Sequence, residues 1–260
     1  MVSANKAWID LLKALHHAPV VSPRGFKTKE LIGYQSRVSM SDPMVCIRER
    51  EIGEKFRYAE AAWILSGDNK VSTIAPYSKM IPQFSDDGVR FFGAYGVKVA
   101  DQLSYVVSSL ATDNSTRQAI INIWRENPRP SKDIPCTLSL QFLIRNNKLH
   151  CNATMRSSDA WLGWVYDVYN FSQISLYVLL QLKSQHKIKL ELGELTLTAG
   201  SQHIYQQHWK PALKCIYGSP YLPDKLITNF ENGEDLISHL WNRAGKKESD
   251  TNQLVLVGIE

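Results

Sequence analysis

Cys136 sits directly after Pro135 at the head of an apolar run, and Arg156-Ser157 and the carboxylates Asp159 and Asp167 follow within a short stretch of chain. A thiol in that position has two readings. It is a small apolar core residue, or it is a nucleophile whose thiolate a nearby guanidinium stabilises. Arg156 and Ser157 together suit a phosphate, because a planar guanidinium and a hydroxyl meet several oxygens at once. Glu60 is a further candidate for proton transfer, lying beside an apolar stripe rather than in a run of surface charge. A solvated helix carboxylate is its alternative reading.

Four regular segments must hold these groups. Thr137–Ile144 and Leu149–Met155 read as strands joined by an Asn146-Asn147-Lys148 turn. Val168 to Leu182 carries the period of a long core helix, and residues 52–65 that of an amphipathic helix bearing Glu60 and Trp63. Upstream, residues 3–17 predict a helix and 29–40 a strand. Arg24, Gly25 and Lys27 form a turn before that strand, which either delivers cations to an anion or is simply solvated. Residues 66–90 are rich in loop formers and predict an insertion over a pocket.

Gly93-Ala-Tyr-Gly96 leads into a helix at about 98–110, and Ala119–Trp124 predicts a covered strand with Arg117 at its entrance, as a phosphate clamp or a surface ion pair. Further on, 188–192 and 194–198 alternate as two strands, with a short helix around 204–210, a helix at 234–242 and a strand at Leu254–Val257. The expectation is one α+β domain over residues 1–260 with antiparallel hairpins.

Composition narrows the partners. Lys and Arg total 30 against 25 Asp and Glu, a net charge of +5, with no dense basic block, which favours a small anion over a nucleic acid. The four cysteines form no CxxC and no Cys/His quartet, so no metal site is expected. No apolar segment is long enough for a membrane span, and a cytoplasmic protein is expected.

Pro135-Cys136, Gln141-Phe142, Met155-Arg-Ser-Ser-Asp159 and Leu162-Gly163 together resemble the catalytic segment of the thymidylate synthase family. Ala59 to Asp68 resembles its catalytic-glutamate helix, Gly93-Ala-Tyr-Gly96 its short glycine motif and His203-Ile-Tyr205 its sugar-contacting motif. The resemblance implies a mixed sheet packed with helices and a homodimer formed through the sheet face. It implies 5,10-methylenetetrahydrofolate as cofactor and a pyrimidine nucleoside monophosphate as substrate. Cys136 would attack C6 of the base, and Glu60 would handle protons around C5.

Arg24, Arg156 and Ser157 would then hold phosphate, and His203 and Tyr205 a sugar hydroxyl. Asp159 would meet the pterin unless it simply caps a helix, with Trp63 and Tyr166 also at the cofactor. Arg117 would reach the neighbouring subunit's site. Gln118 stands where the family usually has a second arginine, and Thr137 where a histidine often follows the cysteine.

Asp167 stands where uracil-using synthases carry Asn. A protonated Asp accepts from the cytosine 4-amino group and donates to N3, the pattern of the cytidylate hydroxymethylase branch. The expected reaction is therefore 5-hydroxymethylation of CMP or dCMP. The alternative is C5 methylation of dUMP or UMP.

Overall fold

The computed structural model describes residues 1–128, 130–221 and 226–245. Its centre is a six-stranded sheet in the order β1-β2-β6-β5-β4-β3. These strands are β1 Val20–Val21, β2 Thr28–Ser39, β3 Ile120–Asn122, β4 Thr137–Arg145, β5 Lys148–Asp159 and β6 Glu191–Tyr205. β4 and β5 form the expected hairpin. Asn146 and Asn147 take φ of 51° and 59°, the left-handed pair that a two-residue turn demands and that asparagine tolerates.

All neighbouring strands run antiparallel except β5 and β6, which are parallel. Their crossover is α5, Trp164–His186, packed on both strands. A parallel pair cannot be closed by a hairpin, so the antiparallel expectation gives way to one βαβ unit inside a mixed sheet.

Helix α5 is buried nearly all round, polar residues included. Ser172 and Ser175 turn their hydroxyls onto the Val168 and Phe171 carbonyls at 2.7 and 2.8 Å, which offsets the cost of their burial. The helix begins four residues before the predicted start, so Asp167 lies in its first turn. Helix α2, Glu54–Leu65, is also more enclosed than its amphipathic pattern suggests, with Arg57, Tyr58, Ala59 and Ala61 to Leu65 all buried. α4, Tyr95–Thr112, α5 and α7, Gly233–Ala244, pack around it.

Other boundaries move for local reasons. The two strands expected at 188–198 are one long β6 that continues through residues 199–205, where a helix was expected to begin. Gly193 marks close packing instead of a break, since a Cβ there would meet the His150 ring at 2.8 Å. A short helix, α6 Trp209–Ile216, follows. α1 spans Ala4–His16, and the 66–90 segment holds the brief helix α3, Val71–Ile74. The strand expected at Leu254–Val257 lies outside the described residues.

Alternation along the strands separates two faces. Leu140, Phe142, Cys151, Ala153, Leu195 and Leu197 are buried under the helices, while Gln141, Asn152, Thr154, Thr196, Gln35 and Arg37 face the opposite, polar side. Among the described residues no helix is long and apolar enough to cross a membrane.

Candidate active site

Strand pairing puts the nucleophile candidate beside its cation. Arg156 on β5 donates its backbone N–H to the Cys136 carbonyl at 2.8 Å. Its guanidinium holds the incoming loop, with Nε on Pro135 O and Nη2 on Ile134 O, both at 2.9 Å, and Nη2 reaches Cys136 Sγ at 3.6 Å. Burial nevertheless pushes the Cys136 thiol up; Arg156 pulls it down, and Asp167, Asp133 and Asp159 push it up again. Arg156 alone therefore does not leave a thiolate at rest. Cys151, by contrast, is fully buried, with burial pushing it to about 12.

Cys136 lines a cavity of about 220 Å³ together with Glu60, Trp63, Tyr95, Asp133 and Asp167. Glu60 is not a solvated helix carboxylate: burial pushes it up to about 7, opposed by a 2.8 Å bond from Asn170 Nδ2. Asn170 is one turn beyond Asp167 on α5, so both face the same cavity. Asp167 is driven well above the carboxylate range by burial, then by Glu60 and Asp159. That setting favours its neutral form, which has one O–H to donate and one oxygen to accept.

Gly163 makes room for Asp167, since a Cβ there would lie 3.2 Å from Oδ2. Gly96 lets α4 approach α2, since its Cβ would meet Asp68 O at 2.8 Å and Ile64 O at 3.0 Å. Tyr95, between the two glycines of its motif, accepts from the Thr137 N–H at 3.3 Å.

A second cavity, about 600 Å³, shares Ile134 with the first and is lined by Arg24, Arg156, Ser157, His203 and Tyr205. Arg24 takes a left-handed φ of 53° before Gly25 at 82° and turns toward this cavity, whereas Lys27 is not part of its lining. The His203 and Tyr205 rings meet edge to face, 5.3 Å apart. Lys132 and Glu30 also line it, and Ser201 donates to Glu30. Sequence reasoning singled out neither, nor Asn170, Asp133 or a role for Tyr95. Helical spacing from Asp167 was the one available signal for Asn170.

Other candidates lie apart. Arg117 is exposed and lines neither cavity; its carbonyl accepts from Gln141 Nε2 at 2.9 Å. Tyr166 spends its hydroxyl on the Gly53 N–H at 3.1 Å and packs edge-on against Phe56. Asp159 caps the turn into α5, with Oδ1 accepting from Trp161 and Leu162 at 2.7 and 3.1 Å. Its Oδ2 is buried without a partner, as is Trp63 Nε1.

Residues 10–240 match the family model described as thymidylate synthase. The chain is 30% identical over 223 residues to a protein of Bacillus phage SP01 named deoxyuridylate hydroxymethyltransferase, an alignment taking in 76% of this chain. The chain spans 56% of that relative's length.

Proposed function

The chain belongs to the thymidylate synthase family, and on that premise we propose that it 5-hydroxymethylates a cytosine nucleoside monophosphate, CMP or dCMP, with 5,10-methylenetetrahydrofolate. The observation carrying this reading is Asp167, which lines the catalytic cavity with Cys136 and Glu60 and whose carboxyl is raised well above the ordinary range by its enclosed setting. Cytosine offers a 4-amino donor next to an N3 acceptor, and a neutral acid meets both at once.

In this reading Cys136 Sγ bonds to C6 of the base, which turns C5 into a carbon nucleophile. Glu60, poised near neutrality, takes and returns protons on the C5 side, and Asn170 holds its carboxylate in place. Arg24, Arg156 and Ser157 bind phosphate, and His203 and Tyr205 bind the sugar. Arg156 links the two ends, since its Nε and Nη2 fix the loop before Cys136 while its remaining edge is left for phosphate.

The residues fit the folate. Asp159 Oδ2 is a buried acceptor without a partner, suited to the pterin N–H groups, and Trp63 offers an aromatic wall in the catalytic cavity. Asp159, Trp63 and Tyr166 would hold the cofactor, which would supply the one-carbon unit.

A homodimer through the polar sheet face completes the proposal. Arg117, exposed and outside both cavities of its own chain, would contact phosphate in the partner's site. Mixing inactive Arg117→Ala and Cys136→Ser chains should regain activity, because one site per mixed dimer is then intact; no recovery rules out the shared site.

The phage relative supports a different base. Its name specifies a deoxyuridylate, and at the base it favours the second reading, a uracil nucleotide, over the first. The same name carries a hydroxymethyl product rather than a methyl one. Product mass after incubation with methylenetetrahydrofolate and each of CMP, dCMP, UMP and dUMP separates them. A hydroxymethylated cytosine nucleotide with tetrahydrofolate is expected. A modified uracil nucleotide alone overturns the role of Asp167, and a methyl product with dihydrofolate overturns the hydroxymethyl ending.

A further inference from the structure

The cavity around Cys136 carries one more acidic group than this reaction has used. Asp133 lines it beside Glu60 and Asp167, on the loop leading into the nucleophile. Its carboxylate has a built seat. Oδ2 accepts from the Gly93 N–H at 2.7 Å, and the Asp133 N–H donates to Ser131 Oγ at 2.9 Å. Only glycine fits opposite, since a Cβ at Gly93 would lie 2.4 Å from the Asp133 carbonyl oxygen and 2.9 Å from Oδ1. The first glycine of the Gly93-Ala-Tyr-Gly96 motif is thus explained by the close approach of Asp133.

This placement has a cost. Asp133 is one of the charges that push the Cys136 thiol up and so oppose the first step. Burial, the largest influence on Asp133 itself, raises its carboxyl above the ordinary range, toward a basicity useful for proton transfer. The reaction also demands two proton acceptors on the C5 side. One takes the C5 proton, which the departing folate nitrogen then takes up, and the other the proton of the water that ends the reaction, attacking the exocyclic carbon from a different position.

We propose that Asp133 is a second catalytic carboxylate, the base that takes the proton from the terminating water while Glu60 serves C5. A water O–H bond breaks and its proton passes to an Asp133 oxygen. The water oxygen bonds to the exocyclic carbon on C5. The electron pair of the C5–methylene double bond returns to the ring and then expels the Cys136 thiolate from C6. This inference rests on the hydroxymethyl ending proposed above and deepens it.

Microscopic reversibility gives a test that needs no folate. A 5-hydroxymethyl nucleotide joined through C6 to Cys136 loses water and regains it from solvent, so its exocyclic oxygen exchanges in H₂¹⁸O. Both 5-hydroxymethyl-dCMP and 5-hydroxymethyl-dUMP are offered, to make the result independent of the base. The control is debromination of the matching 5-bromo nucleotides with added dithiothreitol as reductant, which needs Cys136 addition at C6 but no such water.

Asp133→Asn keeps an oxygen for the Gly93 N–H and loses the basic site. It should slow ¹⁸O exchange by about 100-fold or more, while debromination does not fall and rises if anything, since a charge that opposes the Cys136 thiolate is gone. Equal exchange by parent and variant overturns the inference alone. An equal fall in both reactions also overturns it, and makes Asp133 a positioning residue for the loop. A parent chain that debrominates but exchanges neither hydroxymethyl nucleotide overturns the hydroxymethyl ending, and the inference falls with it.

Discussion

The two cavities meet at Ile134 yet are built on opposite principles. On the base side a thiol and three carboxyls share a small space, and burial raises all four. On the side proposed for phosphate Arg24, Lys132 and Arg156 line a larger one. Chemistry on the first side depends on what surrounds each group; binding on the second depends on which residues are present. Substitutions should divide accordingly, with base-side changes acting on turnover and base choice and phosphate-side changes on affinity.

Cys136→Ser is the severest test of that division. Turnover should fall on the order of 10⁴-fold or more, because no other group can form the C6 bond, while nucleotide affinity, set mainly by the other cavity, stays close to that of the parent. Equilibrium dialysis beside a turnover assay separates the two. Retained turnover removes the nucleophile, and a parallel loss of binding removes the independence of the cavities.

Glu60→Gln should lower kcat by roughly 10²- to 10⁴-fold, and it also makes a prediction about stability. Below pH 4.5 the folded and unfolded chains both hold this proton; between 4.5 and about 7 the unfolded chain releases it and the folded chain keeps it. Stability therefore falls as pH rises through that window, by about 3 kcal/mol from this group, and levels off above it. Asp167 and Asp133 add in the same direction, so the comparison is between parent and variant. Denaturant midpoints at pH 4.5 and pH 8 should differ less in Glu60→Gln than in the parent. Identical pH dependence would show that Glu60 is hydrated rather than buried.

Asp167→Asn acts on choice rather than rate. Amide and neutral acid present different hydrogen-bond edges, and a mismatch leaves a buried group unpaired at about 1–3 kcal/mol, or roughly 5- to 150-fold in relative kcat/KM. The ratio should swing from cytosine toward uracil nucleotides. An unchanged ratio means the base is read elsewhere and gives weight to the uracil reading.

The same contrast governs which features are legible in the amino-acid sequence. Cys136, Arg156 and Ser157 are legible because neighbouring β5 and β4 residues need only a hairpin to meet. Asn170 is not, since its partner Glu60 lies 110 residues away and the contact depends on α2 packing against α5. The local pattern of α2 gives a helix correctly but misses that other helices cover it, so the burial that tunes Glu60 is absent from the sequence. Likewise the parallel β5–β6 pairing is a property of the α5 crossover, which alternation within either strand does not express. On the phosphate side Arg24 could be weighed only against Lys27, because turn geometry decides which of two nearby cations faces inward.

That choice yields the smallest effect and a sign that separates binding from folding. Arg24 holds a left-handed φ of 53°, which costs a residue with a Cβ about 1–2 kcal/mol, and glycine would return part of this through its greater freedom when unfolded. Arg24→Gly should therefore leave thermal stability equal or slightly higher, by up to about 1 kcal/mol. The lost cation is solvent-exposed, so nucleotide affinity should fall only modestly, by up to about fivefold, and less at high salt. Lys27→Ala, outside the cavity lining, should change neither. If Lys27→Ala weakens nucleotide binding and Arg24→Gly does not, the left-handed turn serves the fold and the phosphate is held from the other side of the loop.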